Sequence, residues 1–472
     1  MIKLRPNQEE PIRKAVEFFR QKNPKPSLIV LPTAWGKSIL TAYVTKECND
    51  RIIVLQPSKE LLEQNYLKYL SLCGDMDCHA TIYSASFGSK VIGSITYATI
   101  GSIKNIGEKF KKYGFTKMLI DEAHLYPREA DSMLGKFLED SGITHVLGIT
   151  ATPIKLQQNI GLYGERFSKL VMLTSRSKKG NFFRDIIHVA QPSEMVRLGF
   201  WSPLKYQSGM FDSSLLIFNS TKSEFTEESV QRAYDASNIT AQIRQTLATC
   251  GRKHILCFVP SVDEAIAFSK QYPDSAAVYG DMDKKERESV ISRFKHGTIR
   301  TIFNVRVLST GFDYTGIDCI ILGISTASIA LYYQIVGRAT RIDGNKKDAL
   351  IVDFGGNYSR FGRVEDIRFE KGGSGLWRMF GTGDKLLSGM PIHEIGTVHA
   401  EDVKREEQAA AERAAKRRGD PTLEMPFGKY KGSMVKDIPA SYREWMLSSF
   451  DWNTKNDHLR KSILVSLGRV GS

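Results

Sequence analysis

SLIVLPTAWGKSILTAYVTKE, residues 27–47, changes character twice. SLIVLP is a short, partly β-branched apolar run, the composition of a strand buried in a parallel sheet. From Ile39 onward the apolar residues fall at helical spacing. Between the two stands Gly36-Lys37-Ser38. A strand, a tight loop and a helix start aim backbone N–H groups at one point, and that point attracts phosphate. Lys37 is placed to reach the β- and γ-phosphates of a nucleotide, and the Ser38 hydroxyl to ligate Mg2+. The loop is poor in glycine, since Leu31 and Ala34 stand where related loops carry Gly. It works if Gly36 makes the turn into the helix and Ala34 keeps a negative φ, the comfortable state of a non-glycine residue. Trp35 then either packs under the loop or lies exposed near the cleft.

KMLIDEAHL, residues 117–125, supplies a partner. Its apolar run reads as a second buried strand ending in Asp121-Glu122. A carboxylate at a strand end can hold Mg2+ opposite Ser38, and the next can orient and deprotonate the water that attacks a γ-phosphate. A DE pair alone is commonly two solvated acids at a turn. DEAH a few strand–helix units after a phosphate loop is better read as a nucleotide site.

The 472 residues suffice for two or three domains, and 42% hydrophobic with 25% charged residues is ordinary for a soluble chain. The net charge of +14 is not ordinary; it suits a polyanionic partner, with a solubilising surface as the plainer account. Six cysteines at 48, 73, 78, 250, 257 and 319 are scattered, which argues against a disulfide framework and for reduced thiols in a cytoplasmic protein. Cys73, Cys78 and His79 lack a second ligand pair for zinc. The start, MIKLRPNQEEP, is too charged for a signal peptide, and the uncharged run Cys319–Gly337 is broken by Gly, Ser, Thr and Gln, so it reads as strand, loop and helix.

With these motifs the chain resembles the DExH branch of the superfamily 2 helicases and translocases over residues 1–360, and further segments follow in that family's order. LRPNQ (4–8) looks like its adenine-recognising segment, which implies Gln8 at the base edge with Arg5 beside it. VLQPSKELLEQ (54–64) and SITYAT (94–99) resemble strand ends that touch the nucleic-acid backbone, implying Pro57, Ser58, Gln64 and Thr99. GITATP (148–153) resembles the segment coupling hydrolysis to movement, implying Thr150 and Thr152, with His124 alongside. YYQIVGRATR (332–341) resembles the sixth motif, where Gln334 positions the γ-phosphate or water. Arg338 and Arg341, one helical turn apart, act as arginine fingers. In the turn 309–313, the resemblance places Thr310 and Gly311 on nucleic acid and Asp313, with Gly311, at the nucleotide. Pro32, Thr33, Ala34 and Trp35 complete the nucleotide loop with Gly36, Lys37 and Ser38.

The expected fold is α/β: two RecA-like parallel-sheet lobes in tandem and a small C-terminal α+β module. Lobe 1 covers 1–160, an inter-lobe connection 161–235, lobe 2 236–370, a Gly-rich and then helical linker 371–420, and the module 421–472. Residues 372–399 read as loosely structured. Six acids balance six bases in 401–420, as in a solvated helical spacer. SEMVRLGFWSPL (193–204) and the motif order resemble bacterial RadD-type and phage DNA helicases, although residues 360–472 carry no Cys for the zinc module of RadD-type proteins. MPFGKYKG and IPASYREWML resemble the C-terminal module of exodeoxyribonuclease X. There Lys429 and Lys431 alternate with Phe427 and Tyr430, a mix suited to stacking on bases beside phosphate; the plainer account makes the rings the module's core.

The expected activity is ATP hydrolysis with Mg2+, driving movement along DNA, single-stranded or branched, in a prokaryotic or phage-infected cytoplasm. An RNA helicase, a restriction-system motor subunit and a non-catalytic nucleic-acid clamp are the alternatives.

Overall fold

The computed structural model describes residues 4–48, 50–74, 79–126, 132–161, 164–175, 181–305, 307–308, 314–395, 397–418, 421–450, 452 and 456–469, with backbone alone for 411–418. The chain divides into two compact units, Met1–Glu370 with Leu376–Thr397, and Lys371–Gly375 with Val398–Ser472.

The first unit holds two sheets. The first contains β1 (Ser27–Val30), β2 (Ile52–Gln56), β3 (Ala80–Ser84), β4 (Ser89–Lys90), β5 (Ile95–Thr99), β6 (Lys117–Ile120), β7 (His145–Thr150) and β10 (Asp185–Val189), in the order β10-β1-β7-β6-β2-β5-β3-β4. Every pairing is parallel except β3 with β4. β1 and β2 are buried along their whole length, as strands covered on both faces must be. Helices α1 (Pro6–Arg20), α2 (Lys37–Cys48) and α3 (Lys59–Cys73) belong to this lobe. α1 begins with Pro6 at a position whose N–H has no helical partner, and it buries Ile12, Ala15, Val16, Phe18 and Phe19 along one face. Each of the larger side chains, Ile12, Val16, Phe18 and Phe19, contributes ~1.5–3 kcal/mol on burial.

The second sheet contains β11 (Leu204–Ser208), β12 (Ile255–Phe258), β13 (Ser275–Val278), β14 (Thr301–Asn304), β15 (Cys319–Leu322) and β16 (Ala349–Asp353). Its order is β11-β16-β15-β12-β14-β13, and all pairs are parallel. Two parallel α/β sheets in tandem are the architecture the motifs implied.

Residues 161–235 are not a connection between lobes. β10 pairs with β1 and so completes the first sheet, and β11 pairs with β16 at the edge of the second. An antiparallel hairpin, β8 (Ile154–Ile160) with β9 (Arg166–Met172), stands beside them. The chain therefore crosses between sheets within 190–203. Residues 376–395 also pack on the first unit: β18 (Trp377–Phe380) pairs with β17 (Arg368–Lys371), and the Gly389 N–H donates to Leu170 O at 2.6 Å.

In the second unit, helix Ala400–Arg418 runs against helix Asp457–Ser466, and Glu407 accepts from the Gly373 N–H and the Ser374 hydroxyl. The expected spacer is thus part of the module. Its core is Met425, Val435, Ile438, Met446, Leu459 and Ile463. Among the described residues, no helix is long and apolar enough to cross a membrane.

Candidate nucleotide and nucleic-acid site

The chemistry collects at the carboxyl ends of β1, β7 and β6, which are neighbours in the first sheet, as ligand sites in open parallel sheets do. β1 runs into the loop 31–36, and Lys37 opens α2. The Leu31 N–H donates to Thr150 O, so Leu31 belongs to the strand. Trp35 is fully buried beneath the loop. Ala34 departs from expectation: its φ is +57°, a left-handed conformation. For a residue with a Cβ this costs about 1–2 kcal/mol. Gly36 has φ +101°, and a Cβ there would lie 2.8 Å from Gln8 Nε2. The backbone angle is what calls for glycine at Gly36, since the Gln8 amide end could move aside. Pro32 O accepts from the Trp35 N–H at 3.4 Å.

Gln8 lies behind this loop. Its Nε2 donates to Trp35 O at 3.0 Å, and its Oε1 accepts from the Arg5 N–H at 2.9 Å. One amide hydrogen and one oxygen lone pair remain for a base edge. The Arg5 guanidinium lies 4.6 Å from the centre of the Phe200 ring.

Lys37 Nζ forms an ion pair with Glu122. Burial works against the Lys37 charge, but Glu122 and Asp121 outweigh it and hold the ammonium above its usual range. Asp121 is pushed up to about 6 by burial, against the pull of Lys37. Its Oδ2 accepts from Asn65 Nδ2 at 3.0 Å, and its Oδ1 from the Glu122 N–H at 2.9 Å. Burial opposes the Glu122 charge too, but Lys37 and then His124 keep it below the usual carboxylate range, so in this arrangement it is held as a carboxylate paired to Lys37. Glu122 has φ +46°, a second left-handed non-glycine residue at the site. His124, whose proton affinity burial lowers against the pull of Glu122, shares a hydrogen bond with the Thr150 hydroxyl through Nδ1 at 2.9 Å. Thr150 Oγ1 also accepts from the Thr152 N–H at 3.1 Å.

The second sheet reaches this cluster through helix Ile329–Val336, whose N-terminus Ser328 caps by accepting from the Leu331 N–H. Gln334 Nε2 lies 3.4 Å from His124 Nε2. A Cβ on Gly337 would stand 2.6 Å from Thr33 Oγ1, so glycine lets the end of this helix approach the phosphate loop. Arg338 and Arg341 do not share a helical face, because the helix ends at Val336 and both lie in the turn beyond. The charge of Arg338 bears on Lys37 and Glu122, and that of Arg341 on Lys346. Of the two, Arg338 is the one whose charge acts on the Lys37–Glu122 pair.

Ser38, half-buried one residue into α2, and Asp121 offer a hydroxyl and a carboxylate, hard oxygen donors that fit Mg2+ completed by water and phosphate. Such an ion would neutralise charge on the phosphates and hold them for displacement.

Of the residues expected to meet nucleic acid, Ser58, Thr99 and Thr150 stand at or just beyond the carboxyl ends of β2, β5 and β7. Ser58 caps α3 by accepting from the Leu61 N–H, next to half-buried Pro57, and Gln64 is exposed. Thr99 precedes the short helix Ile100–Ile103, with its hydroxyl 3.0 Å from that of Ser102. Thr150 and Thr152 are buried. Thr310, Gly311 and Asp313 lie outside the described residues. In the second unit Lys429 and Lys431 are exposed, but Phe427 stacks on Phe450 and Tyr430 packs edge-on to Tyr442 at 4.8 Å. Those two rings serve the module's core. Sequence reasoning missed Asn65, which ties Asp121 to Gln56, and Trp201, whose indole N–H donates to Thr33 O at 2.9 Å. Asn65 faces inward from α3 seven residues after its cap, a weak signal.

A lysine and two acids on one parallel sheet, with an amide and an arginine offered from a second, define a nucleoside-triphosphate-driven two-lobed motor class. Residues 1–155 match the family described as "Type III restriction enzyme, res subunit", and residues 237–343 match "Helicase conserved C-terminal domain". Residues 421–451 match "Putative quorum-sensing-regulated virulence factor". The chain is 26% identical over 385 residues to "Putative mitochondrial ATP-dependent helicase irc3" of Schizosaccharomyces pombe, covering 75% of this chain and 57% of that protein. It is 23% identical over 379 residues to "DNA 3'-5' translocase XPB2" of Sulfurisphaera tokodaii, covering 75% and 81%. A solved Type ISP restriction-modification enzyme, LlaBIII bound to DNA, superposes with a TM-score of 0.53 at 17% identity, over 75% of this chain and 28% of that one. The chain spans little more than half the length of the first curated relatives it matches. Both halves of a superfamily 2 helicase thus find a match in this chain, over residues 1–155 and 237–343, and the relatives are named ATP-dependent helicases and a translocase. The finer likeness to RadD-type proteins and to exodeoxyribonuclease X rests on the quoted motifs.

Proposed function

We propose that this chain is an ATP-driven DNA translocase or helicase that moves along one strand and acts on branched or forked DNA in replication, recombination or repair, in the cytoplasm of a prokaryotic or phage-infected cell. The observation that carries the reading is the meeting of Lys37, Asp121 and Glu122 with Gln334 and Arg338 from the other sheet. A non-catalytic clamp has no need of that set. On ATP binding, Lys37 exchanges Glu122 for the β- and γ-phosphates, which frees the carboxylate to take a proton from the attacking water. Arg338 stabilises charge as the γ-phosphoryl leaves, and Gln334 with His124 reports the state of the site to the second lobe. Alternate closing and opening of the cleft then shifts the strand contacts at Ser58 and Thr99. Those contacts fall on backbone, so sequence preference is low.

DNA is favoured by the +14 net charge taken with the DNA translocase among the relatives. The test is ATPase stimulation and unwinding across single-stranded DNA, forks, four-way junctions, overhangs and RNA duplexes. Stimulation by forks above linear DNA supports the reading; activity on RNA alone replaces it with an RNA helicase. Turnover only in the presence of added restriction subunits points to a restriction motor, the role suggested by the match over residues 1–155. DNA binding without ATPase, unaltered by Lys37→Ala, supports the clamp.

A further inference from the structure

The chain crosses between sheets within 190–203, and residues 201 and 202 of this crossing touch both halves of the nucleotide site. Trp201 is 2% exposed, and its indole N–H donates to Thr33 O in the phosphate loop at 2.9 Å. The next residue, Ser202, is 4% exposed. Its N–H donates to Thr340 O at 2.8 Å and its hydroxyl to Arg341 O at 2.9 Å, both in the turn that carries Arg338. Pro203 O then accepts from the Ala349 N–H at the start of β16. The Trp201 ring lies 6.5 Å from that of Tyr333, on the helix leading to the same turn.

A segment that merely joins two domains is expected to be exposed and solvated. Here three donors on two consecutive residues are placed on backbone carbonyls instead of water, one in the phosphate loop and two in the arginine turn. Nearby, Gly337 allows close approach to Thr33, so loop and turn are already in contact. A shift of the Thr33 carbonyl as the loop fills has a two-residue hydrogen-bonded route to the backbone that aims Arg338.

We propose that Trp201 and Ser202 are positioning residues for turnover, clipping the phosphate loop to the arginine turn so that Arg338 is set by the state of the loop. This rests on the ATP-driven reading above. Neither residue touches the reacting atoms, so their loss should slow turnover while leaving ATP affinity nearly intact.

The test uses the full chain. Trp201→Phe keeps most of the ring and removes the N–H; Ser202→Ala removes the hydroxyl, and Ser202→Thr restores one. ATPase kcat and KM are measured with single-stranded DNA, and amide hydrogen exchange is followed without nucleotide over peptides spanning 31–37 and 200–204. The expected result is a fall in kcat of about fivefold in Trp201→Phe and in Ser202→Ala, the rate equivalent of one lost neutral hydrogen bond. KM for ATP stays within about twofold. Ser202→Thr recovers most of the rate, and Trp201→Phe speeds exchange in 31–37 as well as in 200–204. Unchanged kcat, kcat and KM moving together without rescue by Thr, or faster exchange confined to 200–204 would each overturn the clip and leave Trp201 as packing. A wild-type chain without ATPase would instead overturn the proposed function, and exchange in 31–37 would still decide the clip.

Discussion

The two sheets bring unlike things to their shared edge. The first delivers Lys37, Asp121, Glu122 and His124 from loops at strand ends, and these groups already compensate one another: Lys37 pairs with Glu122, and Asn65 donates to Asp121. The second delivers Gln334 from a helix and Arg338 from the turn after it. The first sheet therefore builds a place for phosphate, whereas the second supplies groups whose worth depends on how closely they approach. Nucleotide binding should therefore reside mainly on the first side, while turnover needs Glu122 from the first and Arg338 from the second.

The sharpest way to break that division is Arg338→Ala. It should lower kcat by about 10³–10⁵-fold, the worth of an arginine finger, with nucleotide affinity largely kept. Single-turnover hydrolysis beside fluorescent-nucleotide binding measures both, and equal losses would abolish the distinction. Lys37→Ala should do the converse, weakening nucleotide binding by about 10- to 100-fold through loss of a charge-assisted contact. Across the divide, a double-mutant cycle on His124→Ala and Gln334→Ala, read as kcat, should give a coupling of ~1 kcal/mol; strict additivity would mean that the contact carries nothing. The smallest effect belongs to the first sheet alone. Ala34→Gly relieves a left-handed alanine and should stabilise the protein by about 1 kcal/mol or less, after the extra chain entropy of glycine, seen as a higher urea midpoint.

What was legible in the sequence follows the same division. GKS, DEAH and QIVGR are readable because phosphate chemistry restricts residue type at each place, and both parallel sheets followed from buried β-branched runs between helical patterns. β10 was not readable: its partner β1 lies some 155 residues earlier, and no local pattern encodes so distant a pairing. The left-handed Ala34 and Glu122 were hidden for another reason, since surrounding contacts impose a φ that the residue itself disfavours. The two arginines were placed on a helix by spacing alone, yet the helix stops at Val336 and Gly337 turns the chain against Thr33. In the second unit, the pattern of lysines and rings fitted two accounts, and packing assigned Phe427 and Tyr430 to the core.

The crossing at Pro203 leads straight into β11, an edge strand of the second sheet, while β13 forms the opposite edge. Five strand spacings of ~4.8 Å put that far edge roughly 24 Å from the pivot. Were the second sheet to turn about this crossing, the crossing would be a fulcrum beside the nucleotide with a long arm beyond it. A rotation of about 10° at this fulcrum, an adjustment of about an ångström near Thr340, would swing the far edge by roughly 4 Å, close to the ~3.4 Å between nucleotides along one strand of duplex DNA.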